Sequence, residues 1–101
     1  MASLGKALHD TIRNLEKMRD SQDPPSDEIL AKLDTLYEQQ IDLIDAAIKK
    51  NSKAYKRAVN TMKKAAERTQ EAVDDLAKVE QSLDKVSNAI GKVTELLSKV
   101  S

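Results

Sequence analysis

Residues 24–68 read PPSDEILAKLDTLYEQQIDLIDAAIKKNSKAYKRAVNTMKKAAER, and the fold turns on whether this stretch is one helix or two. Apolar residues recur through it at three- and four-residue spacing, the period of one face of an α-helix. A 3-4 thread starts in its middle and runs on without a skip: Ile41, Ile44, Ile48, Asn51, Tyr55, Ala58, Met62, Ala65, Thr69, Ala72, Leu76, Val79, Leu83, Val86, Ile90, Val93, Leu97, Val100. Sustained heptads predict coiled-coil-like packing. Taken alone, the thread permits one helix from residue 26 to 100, roughly 110 Å long at 1.5 Å per residue.

Two features instead predict a turn near Lys50-Asn51-Ser52-Lys53. Before Asn51 the flanking apolar residues are Leu33, Leu36, Leu43 and Ala47, on one side of the thread; after it they are Val59, Ala66 and Val73, on the other. The stripe slews as if two helices meet there. Charge points the same way. Residues 24–48 hold six acids and one base, and residues 49–68 hold eight bases and one acid. Folded antiparallel, the blocks would set Asp45 near Arg57, Glu38 near Lys64 and Asp34 near Arg68. Each exposed pair is worth only about 0–1 kcal/mol, but their sum favours the hairpin over the rod. Against it stand Lys53, Lys56 and Arg57, which the helix dipole disfavours in the first turns, and the lack of a glycine at the break.

Upstream, Leu4, Leu8, Ile12, Leu15 and Met18 share one helix face. The prolines at 24 and 25 end that helix. Ser26 then reads as an N-cap, with Asp27 and Glu28 placed to complement the dipole. The following helix carries a broad apolar stripe (Ile29, Leu30, Leu33, Leu36, Tyr37, Ile41, Leu43, Ile44, Ala47, Ile48), wide enough for two neighbours. Downstream, the thread changes character. It is rich in alanine through Val73 and has larger residues from Leu76 onward, with Gly91 permitting a bend. The expected fold is all-α: a helical hairpin or three-helix bundle in a single domain, with a long coiled-coil-like C-terminal helix. Helix 1 spans about 3–20, a loop 21–25, helix 2 about 26–50 and helix 3 about 53–100. Helix 1 either folds back on helix 2 or stacks beyond it to cover Leu76–Val100. Ile41, Ile44, Ile48, Val59, Met62 and Leu76 are the expected core.

Composition narrows the functional classes. The 17 basic and 17 acidic residues cancel, so no global charge draws the chain to nucleic acid or membrane. Cysteine is absent, which excludes disulfides, thiolate metal sites and cysteine nucleophiles. No run approaches the roughly 20 apolar residues of a membrane span, and the first residues lack the apolar core of a cleavable signal. The expected compartment is the cytoplasm, with signal-independent export as the alternative.

Chemistry-bearing residues are few. His9 is the only histidine, and a lone histidine on a first helix reads as a surface residue rather than a base or ligand. Glu38, Asp42 and Asp45 share a helix face, but the Glu-x-x-His pairs of helical di-metal sites are missing, so they read as a solvated acidic face. Lys49, Lys50, Lys53, Lys56, Arg57, Lys63 and Lys64 form an outer basic stripe. Phosphate binding needs such a stripe, yet only Tyr55 is near for base stacking and helix 2 competes for the charge, so nucleic acid is disfavoured. Met62 and the two tyrosines read as core or core-edge packing.

No catalytic, metal or cofactor site is expected, and the chain is not expected to be an enzyme. The expected role is protein–protein interaction or assembly, by self-association or as adaptor or chaperone for a helical partner. A component or substrate of a bacterial secretion or surface apparatus is the alternative. The expected partner-binding residues are the C-terminal seam: Leu76, Val79, Leu83, Val86, Ile90, Val93, Leu97 and Val100. Ala89 and Leu96 widen that seam, so it should meet more than one helix.

Overall fold

Ser3, Ser26 and Ser52 each adopt an extended backbone just before a helix, and each hydroxyl accepts a backbone N–H of the first turn, from Lys6, Glu28 and Tyr55 respectively. A capping serine satisfies one of the donors a helix start leaves unpaired. The computed structural model describes residues 3–22, 24, 26–46, 48–49 and 51–99. Among these the chain forms four α-helices: α1 (Leu4–Ser21), α2 (Asp27–Asp45), α3 (Lys53–Asp74) and α4 (Val79–Lys99). The all-α bundle expected from the sequence is what forms. The turn near residue 51 is present too, although α2 already stops at Asp45, before the expected 50. Its last turn holds Asp42 and Asp45 and no base, which the dipole opposes.

The single helix expected over 53–100 is two helices. Asp75 is extended (φ −144°, ψ 102°), and its carboxylate accepts the Ala77 N–H at 3.0 Å, capping a 3₁₀ turn at Leu76–Lys78. A continuous helix of that length would run roughly 70 Å, whereas the bundle measures 40 × 21 × 19 Å. The thread passes unbroken through the reversal because each half needs its own buried face. Alanine-rich α3 and bulkier α4 then pack together, small residues against large.

The helices are ordered around the bundle as α1, α2, α4, α3, with α1–α4 and α2–α3 at the diagonals. Hydrogen bonds fix their directions. The Leu4 N–H donates to the Tyr55 hydroxyl (3.3 Å), and the Asn14 amide donates to the Ala66 carbonyl (3.0 Å), so α1 and α3 run parallel. The Lys32 ammonium donates to the Ser87 hydroxyl (2.7 Å) and the Gln39 amide to the Thr94 hydroxyl (3.0 Å), so α2 and α4 are parallel too. The Tyr37 hydroxyl donates to Glu16 (2.6 Å) across the antiparallel α1–α2 pair. Helix 1 therefore folds back on helix 2, the first of the two arrangements open from the sequence, and also lies along α3.

This topology overturns the expected charge pairing. With α2 and α3 at a diagonal, the pairs Asp45–Arg57, Glu38–Lys64 and Asp34–Arg68 do not form, and Arg68 pairs with Glu71 on its own helix at 3.4 Å. The acidic and basic blocks occupy opposite corners.

The core holds Leu4, Leu8, Ile12, Leu15 and Met18 of α1, Ile29, Leu33 and Leu36 of α2, Ala58, Met62, Ala65 and Ala72 of α3, and Leu83, Val86, Ala89, Val93 and Leu96 of α4. Met62 is buried as expected, and Ile48 and Val59 pack at the edge of this cluster. Ile41, Ile44 and Leu76, expected in the core, are instead exposed, by 62%, 78% and 75%. Leu76 sits on the 3₁₀ turn, where the helical phase that would bury it is broken.

Candidate interaction surface

Three of the four large apolar side chains exposed among the described residues, Leu30, Ile41 and Ile44, belong to α2. Helix geometry puts them together: 30, 37 and 44 are heptad repeats, and 34 and 41 lie on the adjacent row. The broad α2 stripe does meet two neighbours, α1 and α4. It is wider than those two cover, and the surplus emerges along the outer edge of α2.

At the end of the bundle this edge borders a groove of about 500 Å³. Ser3, Leu4, Gly5 and Leu8 of α1 form one wall and Gln40, Ile41, Leu43 and Ile44 of α2 the other, with Ala46, Ile48 and Tyr55 completing it. Gly5 adds no side chain to this wall, and a Cβ there would meet only the Ser3 hydroxyl, at 4.0 Å. At the far end of the groove's axis, Tyr37 ties α2 to Glu16 of α1.

The electrostatics of the edge are one-sided. Asp34, Glu38, Asp42 and Asp45 are exposed along α2, and among the described residues none of them forms an ion pair or side-chain hydrogen bond. The only base of α2, Lys32, is engaged with Glu28 (3.6 Å) and Ser87. Like charges four residues apart, as at 34–38 and 38–42, each disfavour a helix by about 0.2–0.5 kcal/mol. Asp42 and Asp45 additionally face the negative end of the dipole. A second groove, of about 470 Å³ between α1 and α3, is lined by both signs of charge, including the Lys6–Asp10 pair at 3.0 Å.

The expected C-terminal seam lies elsewhere. Leu83, Val86 and Val93 are buried, and Val79, Ile90 and Leu97 are half-buried against the core. Leu76 is exposed on the turn, and Val100 lies outside the described residues. The seam meets more than one helix, and those helices are the chain's own α3 and α2. His9, Asp42 and Asp45 are surface residues, as are Lys49, Lys53, Lys56, Arg57, Lys63 and Lys64; Lys50 lies outside the described residues. Among the described residues no three His, Asp or Glu side chains converge as a metal site would require, and no helix is long and apolar enough to cross a membrane.

Sequence reasoning passed over Ile41 and Ile44 because they open the heptad thread and so read as core. The usable signal was the width of the α2 stripe, more apolar surface than two neighbours could cover. Comparison of the chain with protein-family models, curated protein sequences and solved structures gives no match.

Proposed function

We propose that this protein is an interaction module that binds another protein through the outer edge of α2 and the adjoining α1–α2 groove. The observation that carries this reading is the pair Ile41 and Ile44, 62% and 78% exposed beside an open groove. Single exposed aliphatic residues are ordinary, but a row of them beside a concave surface marks a binding site. The C-terminal seam, spent on the bundle's own core, is the poorer docking surface. Because the two isoleucines contribute little to that core, binding and folding are separable here.

The test is site-specific photo-crosslinking in the cell of origin, with a photoreactive residue at Ile44 and, as control, at Lys64 on the opposite corner. A discrete adduct from position 44 and none from 64 supports the proposal. The same adduct pattern from both positions, or none from 44, overturns it.

A further inference from the structure

We infer that the occupant of this edge is a cationic amphipathic helix, with aliphatic residues facing Ile41 and Ile44 and Lys or Arg along the flank facing Asp34, Glu38, Asp42 and Asp45. This deepens the interaction role proposed above and rests on it.

Three observations define the occupant. The first is shape. The exposed apolar residues follow heptad rows along α2, beside a groove between two antiparallel helices, and a helix ridge is what fits such a groove. From Leu30 to Ile44 the row is about 21 Å long at 1.5 Å per residue, about four turns of a partner helix. The second is charge. The four carboxylates beside the row have no counter-ion among the described residues, and their spacing, with Asp42 and Asp45 in the last turn of α2, works against the isolated helix. A row of Lys or Arg on the partner relieves both penalties. The third is room. Gly5 leaves the groove wall without a side chain where an aliphatic anchor would enter.

A second copy of the chain fits less well. Two α2 edges related by a two-fold axis would bring their carboxylates together. The basic face of α3 has the right charge, but its apolar residues Ala58, Met62, Ala65 and Ala72 are buried and leave nothing to cover Ile41 and Ile44.

The experiment measures fluorescence anisotropy with three synthetic 18-residue helical peptides. One has Leu on its apolar face and Lys on the flanks; the second replaces Lys by Glu; the third keeps Lys but replaces Leu by Ser. The intact protein is compared with the double variant Ile41→Asp/Ile44→Asp and with Gly5→Phe, each checked for native far-UV circular dichroism. The Leu/Lys peptide is expected to bind at least tenfold more tightly than either other peptide. Both variants should weaken it at least tenfold. The Asp substitutions add negative charge, so a loss of affinity for a cationic peptide reports apolar contact alone, and Gly5→Phe tests the groove without changing charge. Equal, isoleucine-dependent binding of the Leu/Glu peptide overturns the cationic partner and leaves the docking surface standing. Equal binding of the Ser/Lys peptide, or full binding by both variants, overturns the partner and the surface together. Self-association of the wild type in sedimentation equilibrium, abolished by Ile41→Asp/Ile44→Asp, assigns the edge to a second copy and also overturns the inference.

Discussion

Asn14 and Thr69 are 55 residues apart in the chain and 3.1 Å apart in space, the Asn14 carboxamide donating to the Thr69 hydroxyl. Gln39 and Thr94 repeat the arrangement at 3.0 Å with the same separation. Each amide also donates to a backbone carbonyl of the opposing helix, Ala66 or Ile90. The two parallel helix pairs are therefore held by matching polar clamps, which fix the register that smooth apolar faces leave free. The clamps differ in two respects: Thr69 is buried whereas Thr94 is exposed, and the Gln39 Oε1 is buried without a hydrogen-bond partner among the described residues.

These differences separate two substitutions. Thr69→Val keeps the side-chain volume and removes the acceptor of a buried amide, which costs about 1–3 kcal/mol. Gln39→Leu also loses donated bonds, but it removes a buried, unpaired carbonyl. Its net effect should be smaller, within about 1 kcal/mol of wild type. Urea unfolding of the two variants should give the larger loss for Thr69→Val.

Burial ranks the apolar positions of α2 in an order the heptad thread does not. Leu36 is fully buried and Ile44 is 78% exposed. Leu36→Ala should therefore cost about 2–5 kcal/mol. Ile44→Ala should stay within about 0.5 kcal/mol. Chemical denaturation distinguishes them, and a silent Leu36→Ala would invalidate the assignment of the α2 faces.

The reversal at Asp75 has a direct distance signature. The chain has no cysteine, so spin labels can be placed uniquely at Lys56 and Glu95. In one continuous helix these sites would be about 58 Å apart at 1.5 Å per residue. In the bundle both lie toward the same end, and the separation should be on the scale of its 21 Å width. Double electron–electron resonance reads either value.

Tyr37 supplies a pH dependence. Its hydrogen bond to Glu16, then partial burial, then the Glu16 charge, raise its pKa above the ordinary 10.0, against a lowering influence from Arg19. Folding thus favours the neutral phenol. The stabilisation is complete below the ordinary tyrosine range and is lost as pH rises through the folded-state pKa. In Tyr55→Phe, which leaves one tyrosine, ultraviolet titration should give a midpoint above 10, and adding Glu16→Gln should move it down.

Much of the fold was legible because helix starts and apolar periods are local properties. Ser26 as a cap, the proline stop before it, and the turn before Lys53 are all read from a few adjacent residues. The break at Asp75 was not, since the heptad thread runs through it in phase: Ala72, Leu76 and Val79 keep the spacing of a continuous helix. The exposure of Ile41 and Ile44 was equally hidden. Their burial depends on how many helices surround α2, and that number is set by α4 folding back and by α3 taking the diagonal. Periodicity says which face of a helix is apolar but not how much of that face its neighbours cover.

Setting α1 beside α3 and α2 beside α4 also shapes how the molecule folds. The antiparallel pairs α1–α2 and α3–α4 are joined by short connections and can form early. The parallel interfaces join residues 51–55 positions apart, so they form only after long loops have closed, at an entropic cost that adjacent helices avoid. Folding rate falls as contacts become more distant in sequence. Docking of the two hairpins should accordingly be the limiting step of folding.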